Sequence, residues 1–152
     1  MLVAIGADHA GYHLKEELKT FLRGLGHDWK DFGTDSTESV DYPDVAEQVA
    51  RAVAEERCPR GIVICGTGVG SAIAANKVAG VRAALCHDTF SARHARLHND
   101  ANVLALGARV VGPGLARDIT TVWLEAPFEG GRHARRVEKI RQIEDRERGG
   151  PR

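Results

Sequence analysis

Short apolar runs alternate along this chain with longer stretches in which apolar residues recur at helical spacing. The runs at 2–7, 28–32, 61–65, 82–86 and 103–107 predict five strands. Ile62-Val63-Ile64-Cys65 is apolar at every position, which suits a strand covered on both faces rather than one facing water. Helices are predicted over about 10–24, 43–56, 70–79, 89–97 and 114–125, followed by a charged helix over about 131–147. Gly24 and Gly26 punctuate the first helix end, Pro43 suits a first turn, and Gly112-Pro113-Gly114 separates the last strand from its helix. Repeated strand–helix units of this kind predict an α/β fold. The expected form is a single-domain, Rossmann-like three-layer sandwich with a five-stranded parallel sheet and a C-terminal helical arm.

The 152 residues suffice for one domain with its own core, residues 1–152, of which 146–152 read as a frayed tail. Basic and acidic residues both total 21, so nothing in the bulk charge asks for nucleic acid or an anionic membrane as partner. Cys58, Cys65 and Cys86 are odd in number and lack CxxC spacing. That argues against a disulfide or zinc framework and for a reducing compartment, with the cytoplasm as the expected location. Met1-Leu2-Val3-Ala4-Ile5-Gly6 enters a strand pattern without a basic leader or long apolar span, so no targeting or membrane segment is expected.

Ligands of an open parallel sheet bind beyond the carboxyl ends of its strands, which directs attention to Cys65-Gly66-Thr67-Gly68-Val69-Gly70-Ser71. Gly66, Gly68 and Gly70 free the backbone to turn amides toward a ligand, and a helix is expected to begin near Ser71. Such a helix start favours a phosphate or an enediolate oxygen, and it favours the thiolate of Cys65. The glycine spacing matches the dinucleotide fingerprint only in part, and Lys77 comes too late to be a Walker lysine. A tight turn beside an inert cysteine is the competing reading.

Asp8-His9-Ala10-Gly11 follows the first strand, and His98-Asn99-Asp100-Ala101-Asn102 precedes the fifth. One carboxylate, two imidazoles and a thiol suit a small polar ligand. Taken singly, Asp8 reads as a helix cap and His9 and His98 as surface histidines. Arg132 and Arg136 lie four apart, on one helix face suited to gripping a phosphate, and Arg109 follows the last strand. The competing reading pairs these arginines with Glu129, Glu138 and Glu144 on a solvated helix. His13, His27, His87 and His94 are expected to face solvent, whereas Cys58, Cys86, Trp29 and Trp123 are expected to pack.

Several of these motifs together resemble ribose-5-phosphate isomerases of type B. They are Asp8-His9-Ala10-Gly11, Asp41-Tyr42-Pro43-Asp44, Cys65 to Gly70 with Ile73-Ala74-Ala75-Asn76-Lys77, His98-Asn99-Asp100, Gly107 to Gly112 and Gly130-Gly131-Arg132-His133. The likeness runs from residue 2 to about 145, and the wider family includes isomerases of allose 6-phosphate and galactose 6-phosphate. It implies aldose–ketose isomerisation of D-ribose 5-phosphate to D-ribulose 5-phosphate, in the non-oxidative pentose phosphate pathway, with no metal or organic cofactor.

In the roles the resemblance implies, Cys65 is the base that moves the C2 proton, and the amides of Gly66, Gly68, Val69, Gly70 and Ser71 hold the enediolate. Thr67 assists proton movement between the oxygens. Asp8 and His98 open the sugar ring, with Tyr42 and Asn99 lining the site and His98 coming from a partner subunit. His9, Arg132 and Arg136, joined by Arg109, bind the phosphate. The implied assembly is a homodimer, or a pair of dimers, with shared active sites. Relatives that use a carboxylate base place it in the helix after the loop, where this chain has Ala74-Ala75.

Two other classes compete. A flavodoxin-like binding module would use the same loop for a nucleotide or flavin phosphate without turnover. A thiol redox protein would need a resolving cysteine near Cys65, and neither Cys58 nor Cys86 has that spacing.

Overall fold

The computed structural model describes residues 1–149. Five strands form one parallel sheet: β1 (Leu2–Ala7), β2 (Asp28–Asp31), β3 (Arg60–Cys65), β4 (Ala83–Leu85) and β5 (Val103–Gly107). Six helices connect or flank them: α1 (Tyr12–Gly24), α2 (Tyr42–Ala54), α3 (Val69–Ala75), α4 (Thr89–Asn99), α5 (Pro113–Glu125) and α6 (Arg132–Gly149). The strand order is β2-β1-β3-β5-β4.

Side chains alternate across the sheet and build a core on each face. Val3, Ile5, Ile62, Ile64, Leu104 and Leu106 point to the face covered by α1, α4 and α5, where Leu18, Leu22, Ala92, Ile119 and Trp123 are buried. Ala4, Val63, Val103 and Ala105 point to the other face, against Ala46, Val49 and Ala50 of α2 and Ala72 and Ala75 of α3. The three layers expected from the strand–helix alternation are therefore present. Cys58, Cys86 and Trp123 are buried packing residues, as expected. Trp29 is half-buried at the sheet edge, with Lys19 Nζ 4.5 Å from its ring centroid.

Several boundaries differ from the expected ones for local reasons. A 3-10 turn, His9–Gly11, precedes α1, because Asp8 Oδ1 accepts from the N–H groups of Ala10 and Gly11 at 3.0 and 3.1 Å. The α3 helix begins at Val69, two residues before Ser71, and stops at Ala75, well short of residue 79. There Asn76 leaves the helix and pairs with both backbone groups of Ala83, covering the edge strand β4. Pro113 opens α5 instead of standing outside it. The tail expected to fray from residue 146 is instead helical as far as Gly149, and 150–152 lie outside the described residues.

Lys15 is 1 % exposed, and its ammonium lies 2.6 Å from Asp31 Oδ2, which Lys19 also reaches at 2.8 Å. Asp31 Oδ1 accepts from Gly33 N–H at 2.8 Å, so this cluster ties α1 to the loop after β2. Burial works to raise the Asp31 pKa, but the bonds from Lys15 and Lys19 outweigh it and the net shift is downward. A carboxyl with a depressed folded-state pKa stabilises the fold above its unfolded value and loses that contribution as pH falls. Lys15→Met is expected to cost about 1–3 kcal/mol at neutral pH. It is also expected to shrink the loss of stability on acidification through the carboxylate range, because Asp31 is then less depressed. Chemical denaturation across pH checks both, and an unchanged midpoint at pH 7 would refute the first.

Candidate active site

The crossovers from β1 and β3 leave in opposite directions, α1 onto one face of the sheet and α3 onto the other. That divergence opens a crevice between the carboxyl ends of two adjacent strands. Asp8 and His9 enter it from β1, and Cys65 with its loop enters it from β3. The backbone joins the two sides, since Asp8 N–H donates to the Ile64 carbonyl at 3.1 Å.

The loop after Cys65 is held by its glycines. Gly68 has φ +77°, and a Cβ there would lie 2.5 Å from Leu85 Cδ1 and 2.8 Å from the Leu106 carbonyl carbon. No other residue type fits both that conformation and that space. The turn brings Gly68 N–H to Cys65 Sγ at 3.1 Å, and Val69 N–H to Thr67 Oγ1 at 3.3 Å. The N–H groups of Gly70 and Ser71, in the first turn of α3, have no partner among the described residues. With only seven residues in α3, the anion-binding capacity here rests on these individual amides rather than on a long helix.

Other residues expected at the site surround this loop. Arg109 N–H donates to the Gly66 carbonyl at 2.9 Å, and its Nη1 would lie 3.2 Å from a Cβ at Gly66. Tyr42 packs its ring over Gly70, where a Cβ would sit 2.6 Å from Cε2. His9 Nδ1 accepts from Val40 N–H at 3.2 Å, which places the proton of the neutral ring on Nε2 as a donor. Asp8 does serve as the cap its position suggested, but through Oδ1 alone, leaving Oδ2 without a hydrogen bond to the described residues. His87, expected in solvent, has Nε2 3.3 Å from the Thr67 carbonyl and so braces the loop.

His98, Asn99, Arg132 and Arg136 are elsewhere. Helix α4 starts beyond the carboxyl end of β4 and runs back, so His98 and Asn99 reach the opposite, amino edge of the sheet. Hydrogen bonds from Asn102 to Gly80 and from Arg82 to Asn99 and Asp100 hold them there. The length of β5 alone separates the two edges by roughly 13 Å. Arg132 and Arg136 accompany His98, because Glu129 N–H bonds the Leu97 carbonyl at 3.0 Å and α6 packs on α4. Among the described residues neither arginine pairs with a carboxylate: Glu138 takes Arg141, Glu144 takes Gly80 N–H, and Glu129 faces two histidines. The pairing expected of a solvated helix is absent, and two adjacent guanidiniums stay available on one face.

One chain therefore carries two clusters of candidate residues, one at each edge of its sheet. The amino-edge cluster includes two residues that sequence reasoning left out. His133 stacks on His98, with centroids 4.0 Å apart and planes 7° apart, and His94 meets His98 edge-on at 4.8 Å. Phe90 extends the ladder by stacking on His94. The i, i+4, i+8 spacing of Phe90, His94 and His98 was the signal available in the chain.

A family model described as Ribose/Galactose Isomerase matches residues 3–140, both clusters included. The chain belongs to the ribose/galactose isomerase family. Within that family it is similar to ribose-5-phosphate isomerase B of Escherichia coli, 54% identical over 144 residues, covering 95% of this chain and 97% of the relative. It is similar to D-erythrulose-4-phosphate isomerase of Pectobacterium atrosepticum, 50% identical, covering 96% and 97%. The solved structure of Clostridium thermocellum ribose-5-phosphate isomerase B superposes with a TM-score of 0.94 at 59% identity, covering 95% of this chain and 98% of that one. The expected family and its parallel α/β architecture are thus found. Among the described residues no helix is long and apolar enough to cross a membrane.

Proposed function

We propose that this protein interconverts D-ribose 5-phosphate and D-ribulose 5-phosphate through an enediolate, with Cys65 as the base. The observation that carries this reading is the crevice itself: Cys65 ends β3, Asp8 and His9 follow the adjacent strand β1, and the amides of Gly70 and Ser71 stand free in the turn after Cys65. Abstraction of the C2 proton leaves negative charge on O1 and O2, which the N–H groups of Gly70 and Ser71 and the hydroxyl of Thr67 are placed to stabilise. The same sulfur then returns the proton to C1. The helix that follows offers no carboxylate base, since Ala74 and Ala75 stand there.

Ring opening and phosphate binding are assigned to a homodimer. In this assignment Asp8, His9, Tyr42 and Arg109 of one subunit face His98, Asn99, Arg132 and Arg136 of the other. Two observations support it. The two clusters lie too far apart to meet in one chain, and the carboxyl edge exposes apolar side chains, among them Phe90 at 71 % and Ile73 at 58 %. A two-fold axis pairing unlike edges yields two complete sites. All three cysteines are free and buried, which supports the cytoplasm as compartment, and the proposed substrate supports a place in pentose phosphate metabolism.

The substrate has a named rival, because a relative at 50% identity is called a D-erythrulose-4-phosphate isomerase. Incubation in deuterated water with D-ribose 5-phosphate, D-erythrulose 4-phosphate or D-allose 6-phosphate, followed by NMR, separates the cases. Fastest turnover of the five-carbon sugar with deuterium incorporation is the expected result. Preference for either other sugar would keep the enediolate route and change the substrate. Binding of a phosphate ligand without any turnover would restore the binding-module reading.

A further inference from the structure

Where α4 meets α6, His133 is 5 % exposed, yet its Nε2 has no hydrogen-bond partner. The nearest carboxylate oxygen, Glu129 Oε2, lies 3.4 Å away without hydrogen-bond alignment. The same oxygen is 3.9 Å from His98 Nε2. Ligand atoms of all three side chains fall within 4.8 Å of one another. A buried ring nitrogen left unpaired is unfavourable, so the arrangement calls for an occupant.

We propose that His98, Glu129 and His133 bind one divalent transition-metal ion of the zinc class, leaving a fourth coordination position open. Two imidazoles and one carboxylate are the donor set such borderline ions prefer, whereas calcium and magnesium favour oxygen alone. Tetrahedral bonds of about 2.0 Å require ligand atoms about 3.3 Å apart, which the Glu129–His133 pair already satisfies. His98 must close by roughly 0.6 Å toward Glu129 and by up to roughly 1.5 Å toward His133, and tilt, because an ion has to lie near the plane of each ring and the two rings are stacked almost parallel. His133 is fixed by burial, while His98 is half-exposed and turns about its outer torsion by giving up its stack on His133. The guanidiniums of Arg132 and Arg136 oppose a second positive centre, which sets the affinity below that of a structural zinc site. Occupancy withdraws His98 from the sugar, so the ion inhibits turnover; this last step rests on the proposed isomerase reading.

Titration of the full chain with Co²⁺ as a spectroscopic stand-in is expected to produce visible d–d absorption saturating at one ion per chain, and Zn²⁺ is expected to displace it. Glu129→Gln and His133→Asn are each expected to weaken binding by at least roughly tenfold, the least that loss of a metal-site partner does. Cys65→Ser is expected to leave binding unchanged. Ribose 5-phosphate turnover should fall as Zn²⁺ is added, and Glu129→Gln, with wild-type turnover in the absence of metal, should need correspondingly more Zn²⁺. Sulfur-to-cobalt charge transfer that vanishes in Cys65→Ser, or binding that Glu129→Gln leaves intact, would overturn the site. Metal binding at these residues in a chain that turns over no sugar phosphate would uphold the metal site and sink the isomerase reading instead.

Discussion

Replacing Cys65 by serine is expected to lower kcat by roughly 10²–10⁴-fold while changing KM for ribose 5-phosphate by only a few-fold, the signature of a lost proton-transfer group. The two side chains differ by one atom, and the site at β3's end is set by Gly68 and by the sheet rather than by sulfur. Serine keeps an acceptor for the Gly68 N–H that now reaches Sγ at 3.1 Å. What it lacks is acidity, since a hydroxyl does not supply an anionic base near neutral pH. Steady-state kinetics, with deuterium exchange at C1 as a second readout, decide the matter. Near-normal exchange in the serine variant would remove Cys65 from the proton-transfer step and move attention to Asp8 Oδ2, the other unengaged acceptor in the crevice. Loss of phosphate binding along with turnover would instead mean that the loop had rearranged.

Much of this site was legible because it hangs on local features. A fully apolar run ending in Cys65, followed by glycines, specified a buried strand and a tight turn, and Asp8-His9 at the end of β1 needed only the same rule about carboxyl ends. Less was legible where distant segments decide. His98 stands before a strand, and in a parallel sheet that position is the amino edge, so nearness to β5 in sequence meant distance from Cys65 in space. His133 sits in a segment crowded with arginines and looks solvated until α6 lies down on α4 and buries it. Lys15 belongs to the apolar stripe of α1 with Leu14 and Leu18, and the Asp31 that makes its burial tolerable arrives from another strand. The length of α3 was set by Asn76 capturing the β4 backbone, a contact that helical periodicity does not record.

Mixing two inactive variants is expected to restore activity. If each site takes Cys65 from one subunit and His98 from the other, Cys65→Ser and His98→Asn each spoil both sites of their own homodimer. A mixed dimer concentrates both lesions in one site and leaves its second site wholly wild-type. Random exchange makes half the dimers mixed, with one of two sites intact, so recovery should approach about a quarter of wild-type turnover. The gain is large, because it starts from two nearly inactive parents. Subunit exchange needs partial dissociation, achieved by mild denaturation and refolding of the two chains together, with each parent refolded alone as control. Geometry makes the alternative equally sharp. A site completed within one chain would require His98 to cross the length of the strands from the amino edge, and no mixture would then exceed the sum of its parents. Recovery would establish the shared site. Its absence, in mixtures shown by mass spectrometry to contain the heterodimer, would leave the amino-edge cluster of His98, Glu129 and His133 outside the isomerase site altogether.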